Sequence, residues 1–122
     1  MAQELSSQES SPRERGRAGG AEPAAAGPWG GPLGERATLV QFSTAFCQPC
    51  RATRRVLAEV AALVPGVAHV EVDAEERLAL VRALGIERTP TVLVLDSSGR
   101  EVRRASGAPR RAQVLAALAE AL

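Results

Sequence analysis

The rhythm of apolar and polar positions changes near residue 37, where short alternating runs begin to trade places with stretches of helical spacing. "TLVQFS" (38–43) predicts a strand with Leu39, Gln41 and Ser43 on one face and Val40 and Phe42 on the other. Residues 48–64 follow with Thr53, Val56, Leu57, Val60, Leu63 and Val64 in one wide stripe, the mark of an amphipathic helix; "PG" at 65–66 stops it. "VAHVEV" (67–72) alternates again, placing Ala68, Val70 and Val72 together. A second helix is expected over 74–84, capped by Asp73, with Glu75 and Glu76 in its first turn and Gly85 as its left-handed exit.

"TVLVL" (91–95) is almost continuously apolar, as a central strand covered on both faces should be. "DSSG" (96–99) turns the chain back into "REVRRA" (100–105), predicting a hairpin. A last helix is expected over 109–121, starting at Pro109 and packing through Val114, Leu115, Leu118 and Leu122. Arg110 and Arg111 fall in its first turn, where the helix dipole disfavours cations, and nothing local accounts for them. The order β-α-β-α-β-β-α predicts a parallel first βαβ unit, with the hairpin adding antiparallel strands on the other side. The expected fold is α/β: a four-stranded mixed sheet flanked by three helices.

Residues 1–36 follow a different pattern. They are rich in Ser, Gly, Pro and Ala, and Trp29 in "GPWGG" is their one large aromatic side chain. Such a segment buries too little apolar surface to offset its ordering entropy, so 1–36 is expected to be a disordered tail and 37–122 the folded domain. Trp29 is expected to make no more than a loose contact with that domain. The "RERGR" run (13–17) is interrupted by Glu14 and lacks aromatic companions, which favours a solvated tail over a nucleic-acid arm.

Charge and composition narrow the function classes. Fifteen basic residues, all Arg, stand against fourteen acidic ones, so no net field recruits nucleic acid. No apolar run approaches the roughly 18 residues that span a bilayer, and the N-terminus lacks the apolar core of a secretory signal. The expectation is a cytoplasmic monomer with no membrane or nucleic-acid partner.

The candidate chemistry lies in "FCQPCR", which holds both cysteines. Cys47 directly follows a strand and opens a helix, where free N–H groups and the dipole favour a thiolate. Pro49 suits the first turn and stiffens the ring that oxidation would close. Cys50, one turn in, should be more buried and hold its proton longer; unequal thiols suit exchange, one attacking and one resolving. Zinc is the competing reading. Structural zinc usually takes four ligands, and this pair plus His69 supplies three, so only a dimer sharing two pairs would complete a site. The redox reading implies no metal or organic cofactor.

At these residues the chain resembles the thioredoxin family, from about Thr38 to Leu122. "LVQFSTAFCQPCR" is similar to the family's active-site strand and motif, with Gln48 in place of a glycine; "GIERTPTVLVLDSSG" resembles the segment around its cis-proline, and "SGAP" (106–109) the turn before its last helix. The resemblance implies a thioredoxin-like fold, Cys47 and Cys50 as catalytic residues, and a cis Thr89–Pro90 bond facing them. It further implies that Phe46, Thr89, Pro90 and Gly107 shape a substrate groove, Thr89 through strand addition. Disulfide-containing proteins would be the substrates, and a flavin-dependent reductase of the thioredoxin-reductase kind the electron donor.

The departures from the family are also informative. The family's buried Asp is here Gln41, which cannot titrate, and His69 falls where a Lys is usual. Gln41 and His69 could form a hydrogen-bonded pair, with His69, directly or through water, replacing the missing acid; the favoured reading of His69 is an edge-strand histidine touching solvent. Ser43 and Phe46 replace two tryptophans, making the groove less apolar on one side. The alternative to an oxidoreductase is a non-catalytic binding or redox-sensing module whose partner surface includes the tail and the Arg51, Arg54 and Arg55 cluster.

Overall fold

A computed structural model describes residues 27–122. A 3-10 turn at Gly27–Trp29 leads to β1 (Ala37–Ser43), α1 (Gln48–Leu63), β2 (Val67–Asp73), α2 (Leu78–Leu84), β3 (Thr91–Asp96), β4 (Glu101–Ser106) and α3 (Arg111–Ala121). The four strands form one sheet in the order β2-β1-β3-β4. β1 and β2 are parallel, pairing Gln41 with Glu71 and Leu39 with His69, while β3 runs antiparallel to both β1 and β4. The mixed sheet and its three helices are as the alternation predicts.

The sheet separates two cores. On one face Leu39, Val92 and Val94 pack against Leu57 and Val60 of α1 and Val114 and Leu118 of α3. On the other, Val40, Phe42, Val70, Val72, Leu93 and Leu95 are covered by Leu80, Val81 and Leu84 of α2, by Ile86 and by Trp29. Every residue of β1 is buried, because both its faces and both its edges are occupied. α1 and α3 are also tied by an ion pair between Arg111 and Glu59. That contact supplies what the sequence left unexplained: the cation in the first turn of α3 faces a carboxylate on the neighbouring helix. The start of α3 is closed by Gln113, whose Oε1 accepts from the Arg110 N–H at 2.8 Å.

Several boundaries differ from expectation. α2 starts at Leu78 rather than 74. The Ala74 N–H still donates to the Ser43 carbonyl at 2.8 Å, extending the sheet ladder. Asp73 Oδ1 accepts from the Glu75 N–H at 2.9 Å, so it closes a turn and caps no helix; Arg77, with φ −131°, stands at the helix entry instead. Gly85 is the left-handed exit, at φ 69°. α3 begins two residues after Pro109 and buries Val114, Leu118 and Ala121, leaving Leu115 and Leu122 at the surface. Leu63 also lies outside the α1 stripe, being 65% exposed.

The segment ahead of residue 37 packs on the domain. Trp29 is only 8% exposed and meets Phe42 edge-on, ring centres 6.5 Å apart, so the loose contact expected for it is a core contact. Arg77 holds this strap by donating to the Pro28 carbonyl at 2.6 Å. The Gly34 N–H donates to the buried Thr38 hydroxyl at 2.8 Å, and a Cβ at Gly34 would stand 2.6 Å from the Gly66 oxygen, so only glycine allows this approach. Of the tail expected over 1–36, residues 1–26, with the Arg-rich run, lie outside the described residues.

Candidate active site

β1 leaves the sheet at Ser43, and four residues later Cys47 stops the chain at the mouth of α1. Cys47 is the N-cap of that helix, in an extended conformation (φ −107°, ψ 105°). Its Sγ accepts from the Cys50 N–H at 3.1 Å, so the sulfur meets one of the free amide donors of the first turn. Pro49 fits this turn because its missing N–H would have had no helical partner. Cys47 is half-buried, Cys50 is fully buried, and the two are joined in a disulfide with Cα atoms 5.2 Å apart. Gln48 and Pro49, inside the ring, face solvent.

The Thr89–Pro90 bond is cis, as the resemblance implies. The Thr89 hydroxyl lies 3.4 Å from the Thr44 hydroxyl, so the proline loop abuts the strand-to-helix loop that carries the cysteines. Gly107 takes φ 91° and donates its N–H to the Pro90 carbonyl at 2.8 Å, drawing the third segment of the resemblance to the same end of the sheet. Phe46, immediately before the attacking position, is 97% exposed: an apolar ring beside the disulfide with no intramolecular cover.

Behind the disulfide the sheet carries a buried polar chain. Gln41 is fully buried, and its Nε2 donates to the Cys50 carbonyl at 2.8 Å and to the Ser43 hydroxyl at 3.0 Å. Its Oε1 lies 3.3 Å from His69 Nε2. Gln41 and His69 do meet, because the parallel β1–β2 pairing puts positions 41, 69 and 71 on the face that carries α1. Glu71 takes both of its oxygens to Arg54 of α1, at 2.7 and 2.6 Å. Arg54 is therefore engaged and does not belong to a free arginine cluster; Arg51 and Arg55 are exposed.

These contacts set the local charge states. The Arg54 guanidinium holds the Glu71 carboxyl below the usual carboxylate range, partial burial opposes this, and the Ser43 hydroxyl adds to the lowering. Burial pushes the His69 imidazole down; the Glu71 carboxylate resists, and Arg54 reinforces the lowering. With the Gln41 amide nitrogen on the Cys50 carbonyl, its Oε1 faces His69 Nε2, and the His69 tautomer with its hydrogen on Nε2 completes the contact. Glu71 and Thr44 were not foreseen at the site; Ser43 was expected only in place of a groove tryptophan and Arg54 only in an arginine cluster. The alternation placing 41 and 43 on one face and 69 and 71 on another was visible, but their register across the sheet was not.

A cleft of about 310 Å³ opens beside the cysteine loop, lined by Ser43, Thr44, Ala45, Arg54, Glu71 and Asp73. A larger groove of about 450 Å³ runs between β4 and α3 over Val92, Val94 and Ala105, and contains neither cysteine. Neither cavity is lined by a cysteine; the smaller one adjoins the loop that leads to Cys47 and includes Ser43, Glu71 and Arg54 of the polar chain. Among the described residues no group of three or more His, Cys, Asp or Glu is placed to hold a metal ion. No helix among them is long and apolar enough to cross a membrane.

Comparison with known proteins agrees with this geometry. The thioredoxin family model matches residues 33–120. A thioredoxin from Mycolicibacterium smegmatis is 34% identical over 87 residues, covering 69% of this chain and 77% of its own length. Thioredoxin H-type 1 of Nicotiana tabacum is 30% identical over 76 residues, 62% of this chain and 60% of the relative. Among solved structures, thioredoxin NaTrxh from Nicotiana alata superposes with a TM-score of 0.63 at 26% identity, covering 72% of this chain and 76% of that one. The chain belongs to the thioredoxin family. It spans about half the length of several relatives it matches, 51% of thioredoxin H2-1 from Oryza sativa for example.

Proposed function

We propose that this chain is a thiol–disulfide oxidoreductase that reduces protein disulfides. The observation that carries the reading is the Cys47–Cys50 disulfide at the mouth of α1, with Cys47 Sγ on the Cys50 N–H. In the reduced form that amide and the helix dipole favour a Cys47 thiolate. The thiolate attacks one sulfur of the substrate disulfide; that bond breaks, its second sulfur leaves as a thiolate and takes a proton from water. Cys50, deprotonated in turn, attacks the Cys47 sulfur of the mixed disulfide and releases the second substrate thiol. Two electrons pass to the substrate, and the enzyme is left in the disulfide form.

Phe46, Thr89, Pro90 and Gly107 form the docking groove in this reading, with an extended substrate segment pairing to the Thr89 backbone. Pro49 and Gln48 set the ring's stability, while Gln41 and His69 support it from the sheet. A flavin-dependent reductase protein regenerates the dithiol, and the protein works as a cytoplasmic monomer without metal, nucleic acid or membrane.

Insulin reduction with a dithiol donor tests the assignment. Wild-type protein is expected to turn over, and Cys47→Ser to fall to the uncatalysed background. Wild-type turnover no faster than Cys47→Ser would leave a binding or redox-sensing module as the function.

A further inference from the structure

The pair behind the disulfide does more than fill space, and its hydrogen-bond directions say what. Gln41 has two N–H donors and one carbonyl, and all three functions are committed. The Cys50 carbonyl can only accept, so the amide nitrogen must face it. The carbonyl end of Gln41 then points away from the cysteines, toward His69. Among the described residues no side chain of this pair makes a hydrogen bond to the Cys50 sulfur. The polar chain grips the backbone of the second cysteine, not its thiol.

We propose that Gln41 and His69 are positioning residues forming a clamp on the first turn of α1, which favours closure of the Cys47–Cys50 disulfide. This deepens the oxidoreductase reading by naming what sets the ring's stability. Gln41 ties the Cys50 carbonyl of α1 to the central strand β1, from a fully buried position. With that turn held, the two sulfurs of the dithiol stay in the geometry of the ring, and less conformational freedom is lost when the bond closes. His69 sets the direction of the clamp. An amide is nearly symmetric in shape, and without a donor at its oxygen Gln41 can turn over and present that oxygen to the Cys50 carbonyl, where nothing would bind. A carboxylate at position 41 would likewise have no hydrogen to offer the carbonyl.

The surroundings of His69 fit an orienting role. Glu71 lies on the same strand face and Arg54 faces it from α1, and these two form their own bidentate pair. His69 is left to Gln41. In the tautomer that donates to Gln41, Nε2 carries its hydrogen in both the neutral and the protonated ring, so the clamp holds across the histidine titration.

The test is the equilibrium constant for closing the disulfide, measured against a glutathione redox buffer for wild type, Gln41→Leu, His69→Ala and His69→Gln, with thermal unfolding to verify folding. Gln41→Leu is expected to lower the constant about tenfold, the effect of freeing about one residue of the dithiol's first turn that closure must then order again. His69→Ala should lower it about threefold to tenfold, and His69→Gln, whose amide can also donate to the Gln41 oxygen, should restore it to within twofold. Should Gln41→Leu not fold, the two His69 variants decide. A His69→Ala constant within twofold of wild type overturns the clamp. So does a loss that His69→Gln fails to restore, or a His69→Ala effect confined to the rate between pH 6 and 8, which would make His69 a proton acceptor. The equilibrium is read without any substrate protein, so absent insulin turnover would sink the oxidoreductase reading and leave this result standing.

Discussion

The two faces of the sheet are built by different means. The face under α1 and α3 is covered by two regular helices and carries the site's buried polar chain: Gln41 and His69, ending at the Glu71–Arg54 pair. The opposite face is covered by α2, a seven-residue helix with no fully buried residue, and by the strap that carries Trp29. No titratable group belongs to its core. The first face can carry buried polar groups because its long amphipathic elements hold them in register. The second closes with an aromatic wedge, where shape matters and direction does not.

Substitutions can break this contrast. The largest effect is expected for Leu57→Ala in α1, fully buried between the sheet and α3. A cavity there should cost about 3 kcal/mol in urea unfolding, because the facing helices cannot collapse into it. Trp29→Ala should cost less, about 2 kcal/mol, because the strap it anchors can yield to solvent and leave no sealed void. Trp29→Ala should also leave the disulfide equilibrium within about twofold of wild type, because it touches only the opposite face. A shift as large as that of Gln41→Leu would show the two faces to be coupled.

The smallest effect concerns acid. His69 sits below its ordinary value of 6.5 because burial disfavours the imidazolium, so the unfolded chain takes up a proton first as pH falls. Stability should therefore decline as pH drops below about 6.5, until the folded ring is protonated too. Glu71, also lowered, adds a second decline beginning near its ordinary 4.5. His69→Gln should flatten the first decline in a series of thermal melts from about pH 7.5 to about pH 3.5 and leave the second. A wild-type-like slope in that variant would assign the acid sensitivity elsewhere.

Much of the α1 face was legible in the sequence. The alternation of 38–43, the stripe of Thr53, Leu57 and Val60, and the placing of Cys47 before a helix and Cys50 one turn inside it are all periodic or local signals. The α2 face was read less well. Trp29 sits in a glycine- and proline-rich stretch with no period, so its burial could come only from a strap held by Arg77 and Thr38. The early start given to α2 failed because Asp73 can cap a turn as readily as a helix, and the sheet ladder claimed Ala74 first. Leu115 and Leu122 count as core by type alone; in the fold α3 turns Ala121 inward instead.

The sequence alone determined the order of strands and helices, the pairing of two thiols across one helical turn, and the absence of an ionisable group at position 41. Those follow from spacing, from turn chemistry and from residue type, which act over a few residues. Tertiary structure alone decided that Gln41 gives its hydrogens to the Cys50 backbone, that His69 and not solvent holds its oxygen, and that Arg111 meets Glu59. Each joins positions 9 to 52 residues apart. Such partners are chosen by strand register and helix packing, which no local pattern encodes.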